Sequence, residues 1–260
     1  MGFLFNEFIY RPIYNLLIFI YNFVPFHDFG IAIILVTILI KLLLVPLSKK
    51  QIESQKKMQE LQPKIKEIQD KYKNDKEKQT KAMMEFYREN KANPFSGCLP
   101  LIFQMIFLIA IYRVLFNISQ NGLIVNDADL YHPFIQNPGQ INRFFLGLID
   151  LSRAVNFNNL NFAEIAHIFL IVAAAGAQYF QTKLLMETKK TSDAKNNNKL
   201  KEKSTKDPDM AQIMSKQMLY LAPIMTLFIG IKFPAGLALY WLVSTLFMIV
   251  QQKQLEKYKK

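Results

Sequence analysis

The chain has 260 residues, 51% of them hydrophobic, with 22 Phe, 11 Tyr and 11 Met, and a net charge of +12. Apolar runs and basic runs alternate along it instead of mixing, which excludes an ordinary soluble domain and reads as membrane spans with connecting loops. A single cysteine, Cys98, excludes an intrachain disulfide, and His27, His132 and His167 have no metal-ligand spacing; no nucleophile–base or paired-carboxylate arrangement stands out, so neither enzymatic chemistry nor a cofactor is expected.

Residues 1–29 are strongly aromatic but lack the basic leader and small-residue cleavage site of a signal peptide. Glu7, Arg11, Asn15 and Asn22 fall within about 80° of one another at 100° per residue, leaving the other sides of a helix apolar. Pro12 is expected to break or kink that helix and Pro25 to end it. The segment is expected to lie in the membrane interface rather than to span.

Residues 30–47 form the first expected span and carry one lysine, Lys41, well inside. A cation at that depth costs about 2.5 to 3.5 kcal/mol on insertion-derived scales, so it ordinarily faces the protein interior or a hydrated cavity. Snorkelling to the headgroups is the competing reading, since Leu47 is only about 9 Å further along a helix. Residues 48–92 are polar, with Leu61, Ile65, Ile68 and Tyr72 on one helical stripe, a turn signal at Asn74–Asp75, and a second helix bearing Met83, Met84, Phe86 and Tyr87. An antiparallel helical hairpin outside the membrane follows, with Pro63 marking a start or kink in its first arm.

Four more spans are expected at 97–116, 162–186, 215–232 and 235–250, the last two joined tightly through Phe233–Pro234. Residues 117–161 form a loop poor in charge, residues 187–214 a disordered linker by composition, and residues 251–260 a basic tail. Residues 48–91, 187–216 and 251–260 hold 13, 8 and 4 of the basic residues. The excess puts these segments in the cytoplasm and the N-terminus outside.

With that orientation, Lys41, Gln104, Gln178, Ser244 and Thr245 fall roughly 9 to 15 Å below the cytoplasmic surface by helical rise, with Thr226 somewhat deeper. Thr37, Lys41 and Ser48 add a polar stripe along the first span. Isolated amides and hydroxyls in spans usually bond to neighbouring helices, but several helices placing them at one depth around a cation describe a hydrated pocket open to the cytoplasm. The outer half is expected to be apolar apart from Glu164 and His167. A small-solute or ion transporter would carry polar groups through both leaflets or broken helices at the midplane. A one-sided pocket suits a protein that receives polar material from the cytoplasm and releases a hydrophobic segment sideways into lipid.

The residues that carry this reading resemble the YidC family of membrane protein insertases, from about Tyr10 to the end. They are the 30–47 span with its cation, Leu61-Gln62-Pro63-Lys64-Ile65, the run from Asn93 through Pro94-Phe95-Ser96-Gly97-Cys98-Leu99-Pro100 to Gln104-Met105, and Phe233-Pro234-Ala235-Gly236-Leu237-Ala238-Leu239-Tyr240-Trp241. The resemblance implies an all-α, five-span core with a cytoplasmic hairpin in a bacterial plasma membrane. Its implied partners are nascent membrane proteins and lipids, with the Sec translocon and ribosome as further candidates. It makes Met105 and Met225 candidate contacts for a departing substrate helix. Lys253, Lys257, Lys259 and Lys260 are expected to meet ribosomal phosphates or anionic lipid. Two features depart from the family. Its groove cation is commonly arginine, and lysine keeps the charge without the planar fork. The large extracytoplasmic domain of Gram-negative relatives and the lipoprotein signal of many Gram-positive ones do not occur in this sequence, which fits either a minimal family member or a chain trimmed of such a region. No Arg- and Ser-rich leader suggests an organelle version.

Overall fold

A computed structural model of the chain describes residues 2–93, 99–131, 133–196 and 210–257. Cys98 and the rest of 94–98, His132, the linker stretch 197–209, and Lys259 and Lys260 lie outside the described residues, as does the side chain of Gln62.

The chain is an all-α membrane protein with one small β-ribbon. In order it forms α1 (Phe3–Phe5), a π-helical turn (Asn6–Tyr10), α2 (Arg11–Phe23), α3 (Phe29–Leu43), α4 (Val45–Lys71), α5 (Lys76–Glu89) and α6 (Leu99–Gln120). The antiparallel ribbon β1 (Phe144–Phe145) and β2 (Ile149–Asp150) follows, then α7 (Phe162–Asn196), α8 (Met210–Lys232) and α9 (Ala235–Lys257). Three helices are long and apolar enough to cross a bilayer: Ile102–Gln120, Phe162–Leu184 and Ala235–Leu255. A fourth qualifies if α3 is taken together with Val45–Met58, and the apolar part of α8, Leu219–Lys232, is shorter. The helices divide into two compact units, one of residues 1–43, 104–181 and 220–260, the other of 44–103 and 182–219.

In the first unit, Ile13, Leu17 and Ile18 of α2, Ala32, Ile33 and Val36 of α3, Ile111 and Val114 of α6, and Leu237 to Trp241 of α9 share one buried core. Pro12 does not kink α2 internally: it occupies the first turn, where its missing N–H matters least, and the π-helical turn precedes it. The polar stripe of this helix is not left to water. Asn15 is buried; its Nδ2 donates to the Asp129 carbonyl (2.8 Å) and its Oδ1 accepts from Tyr131 N (2.7 Å). Asn22 donates to Gln136 O (2.8 Å), while the hydroxyls of Tyr14 and Tyr21 accept from Asn126 N (2.9 Å) and Asn142 N (2.8 Å). The stripe therefore carries the 117–161 loop, and Phe3, Leu4, Phe8, Phe19, Phe23 and Phe26 are the large apolar side chains that this segment exposes.

Buried Asp28 starts α3: one oxygen accepts from Ile31 N (3.0 Å) and the other from Leu146 N (2.6 Å) in the ribbon turn. The helix was expected to continue to Leu47 but ends at Leu43. Leu44 has φ −89° and ψ 1°, and α4 restarts with Pro46 in its first turn. Pro46 has no N–H to return to the preceding turn and suits a helix start, which places the break here. Ser48 consequently belongs to α4, donating to Leu44 O (2.8 Å), so the stripe Thr37–Lys41–Ser48 is cut after Lys41.

In the second unit α4 and α5 form a helical hairpin. Asp75 caps α5 by accepting from Lys78 N (3.0 Å), and these backbone amides hold its carboxyl below the usual carboxylate range. Gln79 donates to Gln69 O (2.8 Å) across the pair, Lys57 to Lys91 O (3.3 Å), and Ile65 of the apolar stripe is buried. No helix starts at Pro63, because α4 runs through it from Val45 to Lys71. The expected linker 187–214 is also partly helical, because α7 continues to Asn196 and α8 begins at Met210, through stretches of Lys, Ala, Met and Gln that favour helix.

Candidate functional site

Placement of α9 determines the site. Its first amides are satisfied by the loop: Ala235 N donates to Arg153 O (3.0 Å) and Gly236 N to Leu151 O (3.1 Å). A Cβ on Gly236 would lie 2.9 Å from Leu115 Cδ1 and 3.3 Å from Leu151 O, so only glycine allows this approach. The loop carbonyls are themselves fixed by an ionic knot. Asp150 accepts from Arg143 (3.3 Å), Arg153 (3.2 Å) and the Ser152 hydroxyl (2.6 Å). Glu164, almost fully buried, accepts from Arg153 (2.5 Å) and Asn156 N (3.0 Å). The neighbouring His167 is buried with its Nε2 unpartnered.

From that anchor α9 runs about 14 Å to the level of Ser244. Two steps of four residues, offset by one, then aim at different neighbours. Tyr240 and Ser244 face Gln104 of α6, and Trp241 and Thr245 face Gln178 of α7. Ser244 Oγ donates to Gln104 Oε1 (3.1 Å), and Lys41 Nζ of α3 donates to the same oxygen (3.2 Å). One amide carbonyl, with its two lone pairs, thus joins three helices. Trp241 Nε1 donates to Gln178 Oε1 (3.1 Å) and Thr245 Oγ1 to the same atom (3.4 Å). The Tyr240 hydroxyl is buried beside Ser244 and Gln104 without a hydrogen bond of acceptable geometry.

Lys41 is half-buried, and among the described residues no carboxylate lies within ion-pairing distance of it. Its charge is balanced only by the Gln104 carbonyl. The remaining ammonium protons and the Gln104 amide donors are uncommitted, so the cluster offers hydrogen-bond donors and positive charge and almost no acceptors. Five of the residues predicted from sequence therefore come together as two linked groups, Lys41–Gln104–Ser244 and Gln178–Thr245.

Thr37 and Thr226 do not join them. Thr37 Oγ1 donates to Ile33 O (2.6 Å) and Thr226 Oγ1 to Ala222 O (3.0 Å), each back-bonding to its own helix and fully buried there. Met105 of α6 and Met225 of α8 are 38% and 48% exposed, on apolar faces shared with Ile102 and with Leu221, Ile224 and Phe228. Lys253 is exposed near the end of α9, and Lys257 is its last residue.

Two partners are absent from the depth comparison that sequence allows. Trp241 contributes through an indole N–H that hydropathy counts as apolar. Gln181 is buried one turn beyond Gln178 and donates to Met248 Sδ (3.4 Å); its amide in a span was the available signal. The sequence reading also left out of account Arg113, an ionisable residue within the apolar stretch Ile102–Gln120 of α6. The signal was the one that singles out Lys41, an ionisable residue inside a span.

Residues 19–260 match the model of the family described as 60Kd inner membrane protein. The chain belongs to this family. Among curated proteins it is similar to the membrane protein insertase YidC of Fusobacterium nucleatum, at 32% identity over 225 residues, covering 86% of this chain and 84% of that protein. It is also 32% identical to the membrane protein insertase YidC of Tolumonas auensis over 254 residues, and 30% identical to that of Streptomyces avermitilis over 238. These alignments cover 96% and 86% of this chain but 37% and 50% of the two longer proteins. Family membership and the apolar helices together make it a multi-pass inner-membrane protein.

Proposed function

We propose that this chain is a membrane protein insertase, a non-enzymatic chaperone for segments entering the bilayer, and that the Lys41–Gln104–Ser244 cluster is its receiving site. The observation that carries the reading is the shared Gln104 carbonyl: it holds Lys41 in place while leaving most of the donors around it uncommitted. Such a cluster attracts carboxylates and backbone carbonyls on the polar flank of an incoming chain, and does so strongly because the site is poorly screened. Met105 and Met225, on exposed faces of α6 and α8, are the proposed contacts for the departing hydrophobic segment, suited to variable partners by their flexibility.

Five spans are proposed, with α3 and the short apolar part of α8 crossing alongside the three longer helices, the N-terminus outside, and the α4–α5 hairpin and C-terminus in the cytoplasm. The basic excess in 48–91, 187–216 and 251–260 supports this orientation. Nascent membrane proteins are the proposed substrates; Lys253, Lys257, Lys259 and Lys260 are proposed to contact ribosomal phosphates or anionic lipid, and the Sec translocon is a proposed partner.

Reconstitution in liposomes with a small translated membrane protein tests the function. Protease-protected insertion is expected with wild type and Lys41→Arg. Lys41→Ala is expected to insert a substrate with an acidic translocated tail several-fold less well than the same substrate neutralised, and Lys41→Glu less well still. Equal sensitivity of the two substrates would defeat the charge-attraction mechanism. Cysteines at Asn74 and Asn137 should label from opposite sides of the membrane; labelling from one side would end the five-span topology.

A further inference from the structure

Arg113, like Lys41, is a cation set inside an apolar helix of the first unit, and its surroundings differ from those of Lys41. It lies nine residues beyond Gln104 on α6, about 180° round the helix, and so faces away from the Lys41 cluster. Its guanidinium carbon is 5.6 Å from the centre of the Phe5 ring and 6.0 Å from that of Tyr10. Both distances suit attraction between a cation and a ring face. One turn further along the same face, Asn117 donates to the Tyr10 hydroxyl (2.8 Å), which fixes the second ring.

Among the described residues no carboxylate, carbonyl or hydroxyl accepts a hydrogen bond from Arg113, and Asp129, the carboxylate beside Tyr10, already accepts from Asn126 Nδ2 (3.1 Å). An arginine is always charged and presents five donors in a planar fork. Rings attract the charge but accept none of those hydrogen bonds. Arg113 is seven residues, about 10 Å, from the end of α6 at Gln120, which puts its head within snorkelling reach of the headgroup layer on the side of the 117–161 loop. The adjoining segment exposes Phe3, Leu4 and Phe8, so the same corner offers apolar surface for acyl chains.

We propose that Arg113, framed by Phe5 and Tyr10, binds the phosphate of a membrane phospholipid in the leaflet on the side of the 117–161 loop. The phosphate supplies the bidentate acceptor that the protein withholds, the rings orient the fork toward the bilayer, and Phe3, Leu4 and Phe8 pack beside the chains. The lipid would fasten α1 and α2 to α6 at a point where no described side-chain ion pair does so. The site depends on neither the insertase reading nor the orientation of the termini.

Lipid titration of the purified full chain in detergent, followed by native mass spectrometry, tests it. The probes are dioleoyl-phosphatidylglycerol, dioleoylglycerol without the phosphate, and soluble glycerol 3-phosphate as competitor. Wild type is expected to bind the phospholipid at least about tenfold more tightly than the diacylglycerol, the range of a charge-assisted hydrogen bond. Arg113→Gln should remove that preference, Arg113→Lys should keep part of it, and Phe5→Ala should weaken it several-fold with the charge intact. Glycerol 3-phosphate should not compete at equal concentration. No preference in wild type, an undiminished preference in Arg113→Gln or Phe5→Ala, or effective competition by the soluble phosphate would each overturn the lipid site.

Discussion

Two charged regions of the first unit are built on opposite terms. In the loop knot, Asp150 and Glu164 are buried, and each is met by an arginine together with hydrogen-bond donors from Ser152 or Asn156. Around Lys41 the charge meets one neutral carbonyl and no carboxylate among the described residues. The first arrangement is saturated and leaves nothing to offer a ligand; it holds a loop and the start of α9. The second is deficient in acceptors and gains by meeting one. Burial of charge alone therefore does not set the proposed receiving site apart in this fold. Unfinished pairing does.

The contrast can be broken most severely at the knot. Glu164→Gln removes one of the two carboxylates that Arg153 meets and loosens the loop beneath α9; it should cost about 2 kcal/mol, below the usual range for orphaning a buried ion-pair partner because Arg153 is half exposed and keeps Asp150. Denaturant titration in detergent measures it, and a loss under 1 kcal/mol would show that the knot is not the stronger region. Trp241→Phe, which deletes one donor to Gln178 while Thr245 keeps another, should cost about 1 kcal/mol in the same assay. Lys41→Ala should cost nothing measurable or slightly stabilise, since a partly buried cation is removed and Ser244 still satisfies Gln104. A loss as large as that of Glu164→Gln would mean Lys41 is structural. The smallest effect is expected outside both regions, at the exposed Asp75 cap. Its carboxyl is held low by the Lys78 backbone amide and then by the Lys78 ammonium, so its support for α5 is present above the unfolded-chain value and disappears as pH falls through the lowered one. Circular dichroism of wild type and Asp75→Ala on acid titration should converge at low pH and differ slightly at neutral pH.

The depth of the polar cluster was legible in the sequence because helical rise converts residue number into height, and Lys41, Gln104, Gln178, Ser244 and Thr245 share a height. Direction around each helix was less legible. Thr37 and Thr226 were eligible as polar residues inside apolar helices, yet a hydroxyl in a span can return to its own carbonyl one turn back, which no count of residues reveals. The break at Leu44 was readable from Pro46, and the run of apolar residues across it concealed it. Asn15 and Asn22 were visible as a polar stripe, but amphipathicity does not distinguish a face turned to water from one turned to a polar loop, and here it is the loop. The ionic knot was the least legible part, since Asp150, Arg153 and Glu164 come from irregular backbone and a helix start whose approach no periodicity predicts.

The capping of α9 by Leu151 O and Arg153 O also bears on the protein's own manufacture. These carbonyls leave the ribosome more than eighty residues ahead of the amides they receive, and until Ala235 and Gly236 arrive they have no helix to hold. Tyr240, Trp241, Ser244 and Thr245 belong to α9, which is synthesised after the other described helices. A chain that stalls before residue 235 can build the loop and the earlier helices, but it cannot close Gln104 and Gln178 against their partners. Every nascent copy thus spends much of its synthesis with Gln104 and Gln178 lacking their α9 partners, and only a chain that has reached α9 has them held from that side.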